Sequence, residues 1–165
     1  FYATARDIDE KVKLVIRQVH RSIDSPQKIA ELRSIVGAIL ADAPCKQKDY
    51  KCYLKVILDW VRANIKYTRD PETLDTFQTA QRTLEIGIAD CDDFSILIAS
   101  FLKVIGIPVA LKIISTDGMT YSHIYPLAGL PPQAPTEWIS IDATISKPLG
   151  YEAKHKIKMY KIYYL

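Results

Sequence analysis

The chain has 165 residues, a formal net charge of +3 and three cysteines. This length is typical of one domain with a sizeable hydrophobic core. The small charge, without a dense block of Lys or Arg, argues against binding to nucleic acid or to a membrane surface. No apolar run reaches the roughly 18 to 20 residues of a membrane span. The charged residues from Arg6 onward argue against a signal peptide.

Two of the cysteines, Cys45 and Cys52, flank a short polar loop, and Cys91 stands alone. This spacing permits a disulfide but does not establish one, so the pairing of the two stays open. Neither a CxxC nor an HxxxH pattern occurs, which argues against a structural zinc site.

Apolar residues at helical spacing predict three N-terminal helices. The first covers residues 5–21, the second begins at the Ser25–Pro26 cap and ends before Pro44, and the third covers residues 49–64. A loop over 65–88 follows, in which part of 72–86 is predicted to be helical. The inward-facing residues of this part are expected to be Leu74, Phe77 and Leu84.

Asp90 is predicted to cap a helix that begins at Cys91 and ends near Gly106. This helix is apolar on nearly all sides, so we expect it to be buried. The spacing then changes to that of strands, which are predicted over residues 107–115, 121–128, 137–144 and 156–165. Helices followed by an antiparallel sheet indicate the α+β class.

Cys91 occupies a position that suits a nucleophile. At the start of a helix, unpaired N–H groups and the helix dipole favour a thiolate. The neighbours Asp90, Asp92 and Asp93 oppose this, because negative charge disfavours a second anion. A reactive Cys91 would therefore need a nearby cation, and a histidine such as His123 is the usual one.

His123 lies within a strand, whereas His20 and His155 lie in solvated basic surroundings. A histidine in such a strand is often only a core residue, but this strand follows the Cys91 helix closely. Asp142 ends the segment WISID, where a neighbouring strand could bring it beside His123 and fix the imidazole. The alternative is that Asp142 is a turn residue at the end of a strand.

Five segments carry a resemblance to a known family: residues 89–93 (ADCDD), 106–108 (GIP), 122–125 (SHIY), 138–144 (WISIDAT) and 148–152 (PLGYE). In this order they resemble the motifs of the transglutaminase-like superfamily, a papain-like group of transglutaminases, peptide N-glycanases and many bacterial and phage cysteine proteases. The last segment resembles phage-type members. Ala89 and Ala143 replace a usual Gly and Pro, which affects loop shape more than chemistry.

The resemblance implies a papain-like fold in which N-terminal helices and a buried Cys-bearing helix pack on an antiparallel β-sheet. We expect one domain over residues 1–165, with a catalytic core over 55–152 and a helical N-terminal extension over 1–50. The extension could be a lid, a cover or a docking surface.

The resemblance also implies roles for four residues. Cys91 would be the nucleophile, His123 the base and then the acid, and Asp142 the group that orients His123. Gln78 aligns with a glutamine of phage-type members and would donate to an oxyanion together with the Cys91 N–H. The alternative is that Gln78 is a surface loop residue.

A metal site is the other chemistry that these residues could supply. Asp90, Asp92, Asp93, His123 and Asp142 carry enough donor atoms for a divalent ion. An acidic run at a helix start, however, is not expected to aim all its carboxylates at one point. We therefore predict no metal and no cofactor.

The function expected from this reading is that of a cysteine-dependent hydrolase or acyltransferase acting on amide bonds of a protein or peptide. A protease is favoured, because the small bacterial and phage relatives are mostly predicted proteases. The alternative is a non-catalytic module for binding or assembly, for instance in a phage particle. The expected location is the cytoplasm or a virion, with no nucleic acid partner and no membrane span.

Overall fold

A computed structural model of the chain describes residues 2–4, 6–69 and 76–165. The helices of this part are α1 (Ile8–Ser22), α2 (Pro26–Ala41), α3 (Tyr50–Asn64), α4 (Ala80–Ile86) and α5 (Cys91–Val104). The strands are β1 (Ala3–Thr4), β2 (Lys66–Tyr67), β3 (Ile88–Ala89), β4 (Val109–Ser115), β5 (Thr120–Tyr121), β6 (His123–Leu130), β7 (Glu137–Ser140) and β8 (Met159–Tyr164). The predicted α+β class is confirmed.

The main sheet has the strand order β7-β6-β4-β8, and all neighbouring strands in it are antiparallel. In its centre, Ile113 of β4 lies opposite Ile124 of β6, and both are fully buried. Their side chains belong to the core cluster that includes α5. Within the described residues, no helix is both long and apolar enough to cross a bilayer.

The helix boundaries follow from capping residues that the sequence already displays. The Ser25 side chain accepts from the Lys28 N–H, and Pro26 occupies the first helical position of α2. The Asp49 side chain accepts from the Cys52 N–H at the start of α3. Each cap satisfies a backbone donor that the first helical turn leaves unpaired.

Helix α5 lies at the centre of the core, and every residue from Cys91 to Leu102 is buried. Helix α1 covers it with Val12, Val15 and Val19, each of which is 0% exposed. Burying such a side chain contributes about 1.5–3 kcal/mol on transfer scales. Helices α1 and α2, which were expected to belong to an extension, therefore share one hydrophobic core with α5.

Two predicted boundaries differ from the structure, and two short strand pairs are additional to the prediction. Strand β7 ends at Ser140, so Asp142 lies in the loop beyond it rather than in the strand. Helix α4 begins only at Ala80, and Leu74 lies outside the described residues. Two short pairs were not predicted: β1 with β5, and β2 parallel to β3. Two-residue strands have too little sequence pattern to reveal them.

The structure answers the open question about cysteine pairing. Cys45 and Cys52 form a disulfide that joins the loop after α2 to the first turn of α3. Cys91 is a free, buried thiol. The spacing of apolar residues in the sequence could not reveal this disulfide, because the disulfide depends on the path of the loop between the two helices.

We expect the double substitution Cys45→Ser and Cys52→Ser to lower the free energy of unfolding by about 2.5 kcal/mol, because the cross-link removes loop entropy from the unfolded chain. Urea unfolding of oxidised protein measures the change. Cys91→Ser is the matched control, since it removes a sulfur that closes no loop. Equal stability of the double variant and the parent protein would contradict the expectation.

Candidate active site

Cys91 is the first residue of α5 and directly follows the short strand β3 and Asp90. The Asp90 carboxylate caps the helix by accepting from the N–H groups of Asp92 (3.1 Å) and Asp93 (3.2 Å). Cys91 is 5% exposed. The cap thus determines where the helix begins and holds the thiol at its first turn, as the sequence predicted.

Two contacts with Ile124 of β6, one from Ser95 and one from Cys91, join the start of α5 to this strand. The Ser95 hydroxyl donates to the Cys91 carbonyl at 2.7 Å and lies 3.3 Å from the Ile124 carbonyl. The Ile124 N–H points to the Cys91 sulfur and lowers its pKa slightly against the larger effects described below. Because Ile124 follows His123, the thiol and the imidazole belong to directly contacting elements.

His123 and Asp142 form a short polar contact. Nε2 of His123 lies 2.7 Å from Oδ2 of Asp142, and the Asp142 side chain is 7% exposed. Oδ1 of Asp142 accepts from the Thr144 N–H (2.9 Å) and hydroxyl (2.7 Å). With Nε2 engaged, Nδ1 is the ring nitrogen left for proton exchange with a thiol.

Asp142 is held as a carboxylate. Burial alone would raise its pKa, but hydrogen bonds and charge from His123, with further hydrogen bonds from Thr144, hold it below the ordinary value. An ionised Asp142 can stabilise a protonated imidazole. The arrangement is therefore able to support a histidine that alternates between base and acid.

The thiol does not have the low pKa that its helix position suggested. Burial raises the pKa of Cys91 far above its ordinary value, and the nearby Asp92 raises it further. The pKa of Asp92 is itself raised, by burial first and then by Asp90. Cys91 is therefore a protonated thiol at neutral pH, with its sulfur 3.6 Å from Oδ1 of Asp92. Desolvation outweighs the helix dipole here.

Gln78 lies in the loop just before α4, is partly buried, and contacts the first turn of α5 through Asp93. Its backbone N–H and its Nε2 each donate to the Asp93 carboxylate at 2.8 Å. Its Oε1 is buried and accepts no hydrogen bond within the described part of the chain. Asp93 thus fixes the position of the Gln78 amide.

The carboxylates of Asp90, Asp92 and Asp93 point in two directions. The Asp93 carboxylate faces Gln78, in agreement with the expectation that the run does not aim all its carboxylates at one point. Asp90 and Asp92, however, offer oxygen atoms that lie with the Cys91 sulfur within 4.8 Å of one another. The cap bends the Asp90 side chain back over the first turn, beside Asp92 and Cys91. The run as a whole still does not aim all its carboxylates at one point, because Asp93 faces Gln78.

Arg62 of α3 belongs to none of the motifs that the sequence displays. Its Nη2 donates to the carbonyls of Asp142 (2.8 Å), Ile145 and Lys147 (2.9 Å). These carbonyls lie in the loop after β7, so one guanidinium holds the segment that carries Asp142. Only the tertiary path of that loop brings it to α3.

We expect Arg62→Met to lower the free energy of unfolding by about 1.5–3 kcal/mol, since charged hydrogen bonds to the Asp142 loop are lost. Arg82→Met is the control, because Arg82 forms only an exposed pair with Glu85 and should cost less than about 0.5 kcal/mol. Urea unfolding of both variants measures the two losses. Similar losses in both would show that Arg62 does not hold the loop.

Solved structures of other proteins share this fold. A provisionally named cysteine protease from Cytophaga hutchinsonii has a TM-score of 0.54 and 16% identity; the match covers 82% of this chain and 47% of that protein. Legionella pneumophila LapG has a TM-score of 0.55 and 18% identity over 87% of this chain and 80% of LapG. Its calcium-bound form has a TM-score of 0.51 and 17% identity over the same shares.

This chain therefore spans about half of the Cytophaga protein and most of LapG. Among curated proteins, none matches the chain. The profile of the transglutaminase-like superfamily matches residues 40–143, which include Cys91, His123 and Asp142. A match over more than half of the sequence, on a mixed helix and sheet fold shared with these proteins, leads to one conclusion: the chain belongs to the transglutaminase-like superfamily.

Proposed function

We propose that the protein is a cysteine-dependent hydrolase of amide bonds in proteins or peptides, with Cys91 as nucleophile and His123 and Asp142 as its partners. The observation that carries the proposal is the 2.7 Å contact between Nε2 of His123 and Asp142. His123 precedes Ile124, whose backbone contacts the start of the helix that bears Cys91. The contact with Asp142 engages one ring nitrogen with a carboxylate and leaves Nδ1 for the thiol.

In the proposed reaction, Nδ1 of His123 accepts the thiol proton while the Cys91 sulfur bonds to the carbonyl carbon of the substrate. The amine then leaves with that proton, and a thioester remains. Water adds to the thioester and gives a proton to His123, which returns it to the departing sulfur. Because burial raises the pKa of the Cys91 thiol, the proposed reaction starts from the protonated thiol, with His123 as its general base.

The oxyanion formed during attack needs hydrogen-bond donors at the start of α5. The backbone N–H of Cys91 is one, since the Asp90 side chain takes the N–H groups of Asp92 and Asp93 instead. Gln78 is the second proposed donor. One N–H of its amide bonds to Asp93, which fixes the group and leaves the other N–H for a substrate oxygen.

Water is proposed as the acceptor, which gives proteolysis rather than cross-linking. The support is the cysteine protease name of the similar Cytophaga protein, with which the chain shares the fold. An amine acceptor would give cross-linking by the same steps. The two differ in the second half of the reaction, so an added amine distinguishes them.

The absence of a metal remains a prediction. Asp90, Cys91 and Asp92 present three donor atoms close together, and a calcium-bound form is known for the similar LapG. Calcium takes six to eight oxygen ligands, and this cluster offers two carboxylates and a sulfur. These three side chains alone therefore do not make a complete calcium site.

The second candidate is a non-catalytic module for binding or assembly. It is favoured by the burial of Cys91, which is 5% exposed, and by the raised pKa of its thiol. In that case the contact between His123 and Asp142 would be a purely structural hydrogen bond. The two candidates differ in whether His123 controls the reactivity of Cys91.

The disulfide between Cys45 and Cys52 supports an oxidising compartment. Thiols are kept reduced in most cytoplasms, so this bridge argues against the cytoplasmic location expected from the sequence. We therefore propose that the protein works outside the reducing cytoplasm.

We expect the protein to cleave members of a peptide pool, and Cys91→Ala to abolish the cleavage. Mass spectrometry detects the products, with added primary amine in one arm and calcium or EGTA in two others. Products that carry the added amine would show that the reaction is cross-linking rather than proteolysis. A dependence on calcium would contradict the prediction that no metal is needed.

The proposed role of His123 also predicts how fast the Cys91 thiol reacts. Iodoacetamide should label Cys91 about 10²-fold faster in the parent protein than in His123→Ala, because a general base contributes factors of this size. His20→Ala is the matched control, since His20 is exposed on α1. Equally slow labelling of all three proteins, without peptide cleavage, would favour the non-catalytic module.

The contact between His123 and Asp142 also makes stability depend on pH. The pKa of Asp142 is lowered in the fold, so its contribution is present in full above the unfolded value of about 3.9. It is lost as pH falls through the folded value. We expect Asp142→Asn to be less stable than the parent protein at pH 7, with the difference shrinking below about pH 4.

Urea unfolding at pH 7, 5, 4 and 3 measures this difference. Asp59→Asn serves as control, because Asp59 forms only an exposed pair with Lys55. A loss in Asp142→Asn that stays constant from pH 7 to 3 would show that the carboxylate charge does not stabilise the fold.

A further inference from the structure

We propose that Glu152 acts as a positioning residue for the site: it clamps the ring of Tyr125 against His123 and thereby fixes the plane of the imidazole. Lys112, Tyr125 and Glu152 together form what we call the Tyr125 support. Its catalytic meaning rests on the proposed function, whereas its effect on the His123 ring does not.

The support is built across β4 and β6. Lys112 and Tyr125 lie opposite each other in the strand register. Oε1 of Glu152 accepts from the Lys112 ammonium at 2.5 Å and from the Tyr125 hydroxyl at 2.6 Å. The Lys112 and Glu152 side chains are 12% and 15% exposed, and Tyr125 is 4% exposed. These contacts are partly buried.

The support reaches His123 through the Tyr125 ring. The two residues are separated by one position on β6, so their side chains point to the same face of the sheet. Their ring centroids are 5.5 Å apart with an interplanar angle of 38°. Any movement of the Tyr125 ring therefore changes the space available to the imidazole.

His123 needs a second constraint. The contact with Asp142 fixes one ring atom, Nε2, and the ring can still tilt about that point. A tilt moves Nδ1, which has to face the thiol for proton transfer. Displacements of about 1 Å can cost about 10²-fold in rate. The Tyr125 ring, packed against the imidazole, limits this tilt.

The groups of the support keep their protonation states at neutral pH. Burial and the Glu152 carboxylate raise the pKa of Tyr125 far above its ordinary value, so its hydroxyl remains a donor. Burial alone would raise the pKa of Glu152, but Lys112 and Tyr125 lower it, so Glu152 remains an acceptor. The Lys112 ammonium thus keeps a charged acceptor in place for the Tyr125 hydroxyl.

The loop that carries Glu152 is itself tied to β7. The Gly150 N–H donates to the Ser140 carbonyl at 2.9 Å, and the Ser140 hydroxyl donates to the Tyr151 carbonyl at 3.0 Å. Gly150 has φ of +81°, a conformation that side chains with a Cβ rarely adopt. The PLGYE segment thus delivers Glu152 to the sheet face behind His123.

The test uses Tyr125→Leu and Glu152→Gln, with Tyr164→Leu as control. Tyr164 is a tyrosine on the same face of the sheet and contacts Trp138 rather than His123. The first readout is the set of imidazole NMR signals of His123. We expect them to shift or broaden in Tyr125→Leu and Glu152→Gln and to stay unchanged in Tyr164→Leu. Unchanged His123 signals in the first two variants would overturn the proposal.

The second readout separates this inference from the proposed function. Turnover of a cleaved peptide should fall about 10-fold in kcat with little change in KM, because ring position affects the chemical step. Shifted His123 signals with unchanged kcat would overturn the positioning role. If the parent protein neither cleaves peptides nor reacts with iodoacetamide, the proposed function fails, and the His123 signals alone decide whether the support holds the ring.

Discussion

The burial of α5 is the constraint on which the rest of the structure depends. The helix is apolar on nearly all sides, so it has to be covered on all sides to be stable. Helix α1 covers one side with fully buried valines, and the sheet covers another through Ile113 and Ile124. This packing fixes the start of the helix against β6, where Ser95 joins the two elements.

The same burial sets the electrostatics of the site. It raises the pKa of the Cys91 thiol and of the neighbouring Asp92. Asp142 is different, because His123 and Thr144 supply enough hydrogen bonds to keep it ionised. Asp142 therefore places a negative charge directly beside the imidazole. Such an arrangement suits a histidine that accepts a proton during attack.

Several residues around the site hold neighbouring segments or side chains in place and do not themselves belong to the group of Cys91, His123 and Asp142. Arg62 ties down the loop that carries Asp142, and Asp93 fixes the Gln78 amide. Glu152 connects the PLGYE segment to the sheet face behind His123. All three are polar groups that are at least partly buried, and each finds its partners across a large separation in sequence. A polar group in such a place has to be hydrogen-bonded to be tolerated.

The sequence by itself determined the local features of this protein. Capping residues set the starts of α2, α3 and α5, and the change from helical to alternating spacing after Gly106 marked the sheet. These features are local, since each depends on residues within a few positions. The order of the motifs around Cys91, His123 and Asp142 also led to the superfamily, because that order is carried by the chain itself.

Only the tertiary structure decided the features that depend on distant contacts. The bridge between Cys45 and Cys52, the three carbonyls bound by Arg62 and the partners of Glu152 all need the loops to be in place. The pKa of Cys91 is the sharpest case. Its local sequence, a helix start, argues for a thiolate, but the helices and strands that cover it remove the water that a thiolate requires.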